Sequence, residues 1–272
     1  MNRLPDAIAA AAHAARPVGV FDSGLGGLTV LQALRARLPQ EDFIYFADTA
    51  HLPYGDKPEH AIRARSLAIA ENLVERGAKA IVIACNTATA AAAESLRDAI
   101  KVPVIALEPA VKPAVALSRR GIIAVMATTR TLHSQRFERL VHAYARDARI
   151  LAQPCPALAE AIEQEGAEGE TVQALLDRYV HPLALAEVDV VVLGCTHYPW
   201  VMQAIRARLP EGVTIVDTGE AVARQVEKRL LKESHLGGGG RFQLATSGDP
   251  YAVGQTIRRL CGLMPPVAHW EI

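Results

Sequence analysis

The feature that most constrains this chain is a recurring alternation of short apolar runs with helix-length stretches. "VGVFD", "DFIYFAD", "AIVIAC" and "VPVIAL" come first, and "GIIAVMAT", "ARILAQP", "VDVVVLGC" and "VTIVDT" repeat the theme later. None of these runs alternates apolar with polar residues, so both faces of each strand need cover. The intervening segments supply it. "GLGGLTVLQALRARLP" sets leucines at helical spacing and stops at Pro39, and an amphipathic stretch from Glu59 to Arg76 stops at Gly77. Another helix is expected from just after Cys85 to about Ile100. Strands joined in this way predict an α/β fold of mostly parallel sheets flanked by helices.

The pattern also repeats on a larger scale. "KAIVIACNTAT" (79–89) resembles "VDVVVLGCTHYP" (188–199): each is an apolar strand that ends in a cysteine and leads through polar residues into a helix. The two cysteines lie 110 positions apart, a domain-sized separation rather than a solenoid period. Two similar α/β domains facing each other would explain it, each offering a cysteine at the carboxyl end of a strand, where open α/β sheets bind ligands. A chain of 272 residues that is 50% hydrophobic can fill two such cores. The expected division is an N-terminal extension over 1–16, a first domain of 17–112 plus 222–272, and a second of 113–221. The glycine tract at 237–240 reads as a turn inside the first domain.

Composition narrows the function. Lysine and arginine total 29 and so do aspartate and glutamate, which leaves no basic footprint for nucleic acid. Cys85, Cys155, Cys195 and Cys261 form no C-x-x-C pair, so neither a disulfide framework nor a zinc site is expected. Pro5 and Asp6 interrupt the alanine-rich start, which is a poor signal peptide, and no run is long and apolar enough to span a membrane. Reduced thiols in a cytoplasmic protein are the expectation.

A cysteine on a strand is ordinarily a small buried hydrophobe, and Cys155 and Cys261 are read that way. Cys85 and Cys195 sit where a strand becomes a helix. The free N–H groups and partial positive charge of a helix start are expected to lower a thiol's pKa and favour the thiolate. Asn86, Thr87, Thr196 and His197 beside them can hydrogen-bond carboxylate oxygens. A pair of thiols, one per domain, suits inversion of a stereocentre: one takes a proton from one face of a carbon while the other delivers a proton to the opposite face. A cysteine protease needs only one thiol and a histidine, so it leaves the repeat unexplained. The first strand ends in Asp22-Ser23, which could hold an ammonium group and orient a thiol. The following "GLGGLTV" lacks the third glycine of a dinucleotide fingerprint and the Lys-Ser/Thr of a phosphate loop. "HLPYGDKP" reads as a turn that could bring Tyr54 and the Gly55 amide to the same cleft. The glutamates of "CPALAEAIEQEGAEGE" are mostly a solvated helix face.

Taken together, "VFDSGLGGLTVL", "PYG", "ACNTATA", "GCTHYP" and the late "TSGDP" resemble the glutamate racemases of the aspartate/glutamate racemase superfamily, over about Val18 to Gly262. The resemblance implies two pseudo-symmetric domains with the active site in the cleft between them. It implies cofactor-independent interconversion of L- and D-glutamate for peptidoglycan synthesis, by a homodimer. By the same match Cys85 takes the α-proton from D-glutamate and Cys195 from L-glutamate. Asp22-Ser23, Tyr54-Gly55, Asn86-Thr87 and Thr196-His197 are the substrate-contacting pairs, and His197 and Glu163, eight positions past Cys155, support the second thiol. The chain departs from the family where it reads "AVMATT", keeping Thr128 but placing Val125 where a threonine is common, and in the polar "PALAEAIEQE". Racemisation of another amino acid such as aspartate, and a two-lobed binding protein without chemistry, are the rival readings. Binding alone needs no paired thiols.

Overall fold

Each of the eight apolar runs forms a strand, and two further strands follow at the C-terminus. The structure is a computed structural model that describes residues 14–145, 147–232 and 236–272. The extension expected over 1–16 therefore lies outside the described residues except for its last three. The first half contains β1 (Val18–Asp22), β2 (Phe43–Ala47), β3 (Ala80–Ile83) and β4 (Val104–Ala106). Its helices are α1 (Leu28–Arg37), α2 (Glu59–Glu75) and α3 (Asn86–Ala99), and α4 (Val111–Leu117) leads out of it. The middle of the chain holds β5 (Ile122–Ala127), α5 (Thr129–Leu132), α6 (Gln135–Tyr144), β6 (Arg149–Pro154), α7 (Leu158–Glu165) and α8 (Glu170–Leu185). It continues with β7 (Val190–Leu193), α9 (Met202–Arg206) and β8 (Thr214–Val216). The chain closes with α10 (Gly219–Lys232), β9 (Phe242–Thr246), α11 (Pro250–Cys261) and β10 (Val267–His269). The last strand is short, polar at His269 and unsignalled by any apolar run.

Every strand pairing is parallel. One sheet runs β10-β9-β2-β1-β3-β4 and the other β6-β5-β7-β8. The order β2-β1-β3-β4 in the first is the order β6-β5-β7-β8 in the second, so the faint sequence repeat is a repeat of topology. β1, β2, β3 and β7 are buried along their whole length, as strands without polar alternation must be. Helices cover both faces. Against the first sheet, one apolar cluster joins Val20, Leu31, Leu34, Val226 and Ile257, and a second joins Ile62, Ile69, Leu73, Ile83 and Leu96. The second sheet has its own pair, one centred on Leu158, Ile162, Leu176 and Val191 and the other on Val111, Ile123, Phe137 and Val190. Each fully buried Val, Leu or Ile contributes roughly 1.5–3 kcal/mol, so both sheets have substantial cores of their own.

Two local features aim the strand ends. Gly27 sits where an added Cβ would lie 2.9 Å from the Ala84 carbonyl, the Asp22 Cβ and the Tyr45 hydroxyl. Only glycine lets α1 start that close to β1. The glycine tract after α10 is pinned to the loop before β2. The Gly237 N–H donates to Glu41 at 2.6 Å and the Gly239 N–H to Asp42 at 2.9 Å. Glu41 in turn pairs with the buried Lys79 at 2.5 Å.

Candidate active site

In a sheet of order 2-1-3-4, ligands collect outside the carboxyl ends of the strands where the order reverses, here between β1 and β3 and between β5 and β7. Cys85 lies two residues past Ile83 of β3, and Cys195 two residues past Leu193 of β7. Phe21 of β1 pairs with Ile83, as Met126 of β5 pairs with Leu193. The register therefore makes Ser23 the counterpart of Thr128, and Asp22 the counterpart of Ala127. Both thiols line a single cavity of about 30 Å³. Ser23, Tyr54, Gly55, Asn86, Thr87, Thr128, Thr196 and His197 complete most of its wall, with Ala159 and Glu160 from α7. Asp22 and Glu163 stand behind this wall. Among the described residues, no lysine or arginine lines it.

Cys85 is the N-cap of α3: its backbone is extended, and its Sγ accepts the Ala88 N–H at 3.4 Å. The Ser23 hydroxyl is 3.6 Å from the same sulfur. The expectation of a lowered thiol pKa here is corrected. Burial, followed by the charge of Asp22, pushes the Cys85 thiol well up, and the Ala88 and Ser23 contacts offset only part of this. At 5% exposure, lost hydration outweighs a single helix end. Asp22 is itself fully buried. Its Oδ1 accepts the Ser23 N–H at 2.7 Å and its Oδ2 accepts the Gly27 N–H at 2.5 Å. Thr196 reaches across to the same carboxylate at 3.4 Å. Burial raises the Asp22 pKa against the opposing effects of His197 and Gly27.

Cys195 has different surroundings, and here too the expected helix start is corrected. A 3-10 turn, Tyr198–Val201, separates the thiol from α9. Its neighbour is His197, with Nδ1 3.7 Å from the sulfur and Nε2 2.6 Å from Glu163 Oε1. Burial alone would discharge the imidazole. The hydrogen bonds to Cys195 and Glu163 and their charges prevail, and hold its pKa well above the ordinary histidine value. Glu163 is fixed further by the Leu25 N–H at 2.6 Å, a bond that crosses from the second sheet's helices to the first sheet's βα turn.

The threonines also cross the cleft: the Thr87 hydroxyl is 3.0 Å from that of Thr128, which donates to Thr131 at 2.9 Å. Asn86 is buried, and among the described residues neither its side-chain oxygen nor its nitrogen finds a hydrogen-bond partner. A buried amide left this way is costly, so it is suited to a ligand that completes it. Tyr54 lines the cavity with its ring, but its hydroxyl donates to Asp48 Oδ2 at 2.6 Å and is thereby engaged. Sequence reading missed this support. Asp48 is wholly buried and is gripped by Arg65 at 2.7 and 2.9 Å. Burial works against its carboxylate, yet Arg65 and Tyr54 hold the pKa below the usual range. The available signal was an acid closing the second strand, as Asp22 closes the first.

Two thiols thus line one small cavity, one beside the His197 imidazole and the other deeply buried next to Asp22. Comparison with known proteins identifies the family. Residues 28–226 match the family model of Asp/Glu/hydantoin racemases. The chain is 46% identical over 254 residues to a glutamate racemase of Stutzerimonas stutzeri, covering 92% of this chain and 96% of that one. It is 50% identical over 224 residues to a glutamate racemase of Pseudomonas paraeruginosa, covering 82% and 84%. The crystal structure of a glutamate racemase from Bacillus anthracis superposes with a TM-score of 0.87 at 29% identity, covering 94% of this chain and 98% of that one. Family model, relatives and fold converge: the chain belongs to the Asp/Glu/hydantoin racemase family.

Proposed function

We propose that this enzyme interconverts L- and D-glutamate by a two-base mechanism, without a cofactor, and supplies D-glutamate for peptidoglycan synthesis in the cytoplasm. The observation that carries the reading is the arrival of Cys85 and Cys195, from equivalent strand ends of two sheets, at one cavity. From L-glutamate, the Cys195 thiolate takes the α-proton and the Cys85 thiol delivers its own to the opposite face. D-glutamate leaves with Cys195 protonated and Cys85 ionised, and the reverse reaction restores both. The raised Cys85 pKa suits it to the acid role in this direction. A charged His197 beside Cys195 stabilises negative sulfur there.

Negative charge that develops beside Cα spreads onto the α-carboxylate, and the site must meet it with donors. Asn86, Thr87, Thr196 and the backbone N–H groups that open α3 provide them, and Ser23, with the Asp22 carboxylate behind it, faces the ammonium group. A cavity of about 30 Å³ is roughly one water's share of liquid volume. Glutamate therefore enters only when the two sheets' units part, and closing over it excludes water. We assign the units as 17–112 with 222–272 and 113–221, and we expect a homodimer, which sedimentation would test.

The experiment is to incubate each pure enantiomer in D₂O without added pyridoxal phosphate, following optical rotation and α-deuterium together. Rotation should decay to zero while deuterium enters. Unchanged rotation from both enantiomers would sink the reading, and faster decay with aspartate would reassign the substrate.

A further inference from the structure

A second cavity, of about 320 Å³, opens beside the reaction cavity and shares Gly55 with it. It lies in the seam between the 3-10 turn Tyr54–Asp56 and α5. A Cβ added at Gly55 would come within 3.9 Å of the Thr128 Cβ, so this seam is where the two units meet in front of the thiols. The lining of the cavity includes Arg130 and His133 from α5 and the residue after it, and Asp56 and Glu59 from the turn and the start of α2. Arg130 makes no hydrogen bond or ion pair among the described residues, and its Nε is buried without a partner. By contrast, the wall of the reaction cavity carries no lysine or arginine among the described residues. Arg130 thus lies outside the reaction cavity, in a neighbouring cavity whose lining includes two carboxylates.

Resting on the reading that glutamate is the substrate, we propose that this vestibule is a docking site for the free amino acid, occupied before the units part and the substrate passes inward. Its charges are laid out for a zwitterion. The Arg130 guanidinium, with His133 behind it, takes a carboxylate through the paired donors that make arginine a carboxylate ligand. Asp56 and Glu59 face the ammonium group, although Glu59 also pairs with Arg63. The volume is several times that of the reaction cavity and admits a molecule of this size while the inner site is closed. When the units part, the turn at 54–56 moves away from α5 and the docked molecule passes inward. A cation at the entrance also steers an anionic substrate, an effect on association that salt screens.

The test compares full-length parent with Arg130→Met and Arg130→Lys, measuring racemisation by circular dichroism at low and high salt. The proposal expects kcat/KM for glutamate to fall about tenfold in Arg130→Met, with kcat within twofold of the parent. The salt dependence of kcat/KM should weaken, and lysine should recover most of the loss. Unchanged kcat/KM would overturn it, and so would a fall confined to kcat, which would make Arg130 a support of the closed site. If Arg130→Met does not fold, Asp56→Asn on the ammonium side carries the same expectation of raised KM at constant kcat, and an unchanged KM there overturns the proposal. A parent that does not racemise glutamate defeats the functional reading instead, so the two failures are distinguishable.

Discussion

The two halves of the site stand on equivalent strands and are built by opposite means. On the Cys85 side the thiol caps a helix directly, its nearest acid is a fully buried Asp22, and the adjoining Asn86 and Thr89 have unpaired polar atoms. On the Cys195 side no α-helix starts at the thiol, Ala127 stands where Asp22 would be, and a His197–Glu163 pair takes over the electrostatics. Burial and a like charge keep one sulfur protonated, while the other has a cation beside it. A symmetric scaffold thus gives its two thiols asymmetric surroundings. The proposed two-base mechanism draws on that difference, because it requires one thiol to begin as the acid and the other as the base.

The sharpest way to break this comparison is to delete each thiol in turn. Cys85→Ala and Cys195→Ala should each lower racemisation by at least the roughly 10²–10⁴-fold contributed by a positioned acid or base, measured by circular dichroism from both enantiomers. Near-parental activity in either variant would end the two-base reading.

Changing His197 tests the asymmetry itself. His197→Asn should lower kcat/KM by about 100-fold, the scale of a misplaced reacting group. Glu163→Gln should cost about tenfold, in line with loss of one charge-assisted bond. The enantiomers have equal free energy, so kcat/KM must fall equally in both directions. The difference should instead appear as a larger α-deuterium isotope effect from L-glutamate than from D-glutamate. The same histidine has a stability signature. Its folded pKa lies above the unfolded value of about 6.5. Its stabilisation is therefore fully present below about pH 6.5 and is lost as pH rises through the folded value. The gap in urea midpoint between parent and His197→Asn should narrow as pH is raised, and a gap independent of pH would deny the imidazole its charge.

Much of this was legible in sequence because it depends on local pattern. Fully apolar strands mark buried parallel sheets, and the echo between 79–89 and 188–199 marks repeated topology. Ten of the residues singled out beforehand line the cavity because β3 and β7 end in the same way. What escaped depends on tertiary environment. A helix start argues for a lowered thiol pKa, but how deeply Cys85 is buried and where Asp22 points are set by elements from far along the chain. Asp48 and Arg65 meet only because α2 folds back over the end of β2, and no spacing rule pairs them. β10 carries too little apolar pattern to stand out, and it exists because β9 offers it an edge.

The smallest effect expected is also the one that separates substrate recognition from folding. Among the residues next to the thiols, Asn86 is the one whose side chain is buried with both polar atoms unpaired, whereas His197 across the cleft is fully bonded. An unpaired buried amide costs roughly 1–3 kcal/mol. Asn86→Ala removes that cost and leaves a small gap, so the empty enzyme should keep its melting temperature or gain a few degrees, at roughly 2–4 °C per kcal/mol for chains of this order. If the amide is held ready for the substrate carboxylate, the same variant should raise KM about tenfold, in line with loss of one hydrogen bond to a charged group. The two readouts then move in opposite senses: greater stability with weaker binding. A variant that melts earlier and keeps its KM would mean that Asn86 serves the packing of α3, and that both halves of the site are equally complete without substrate.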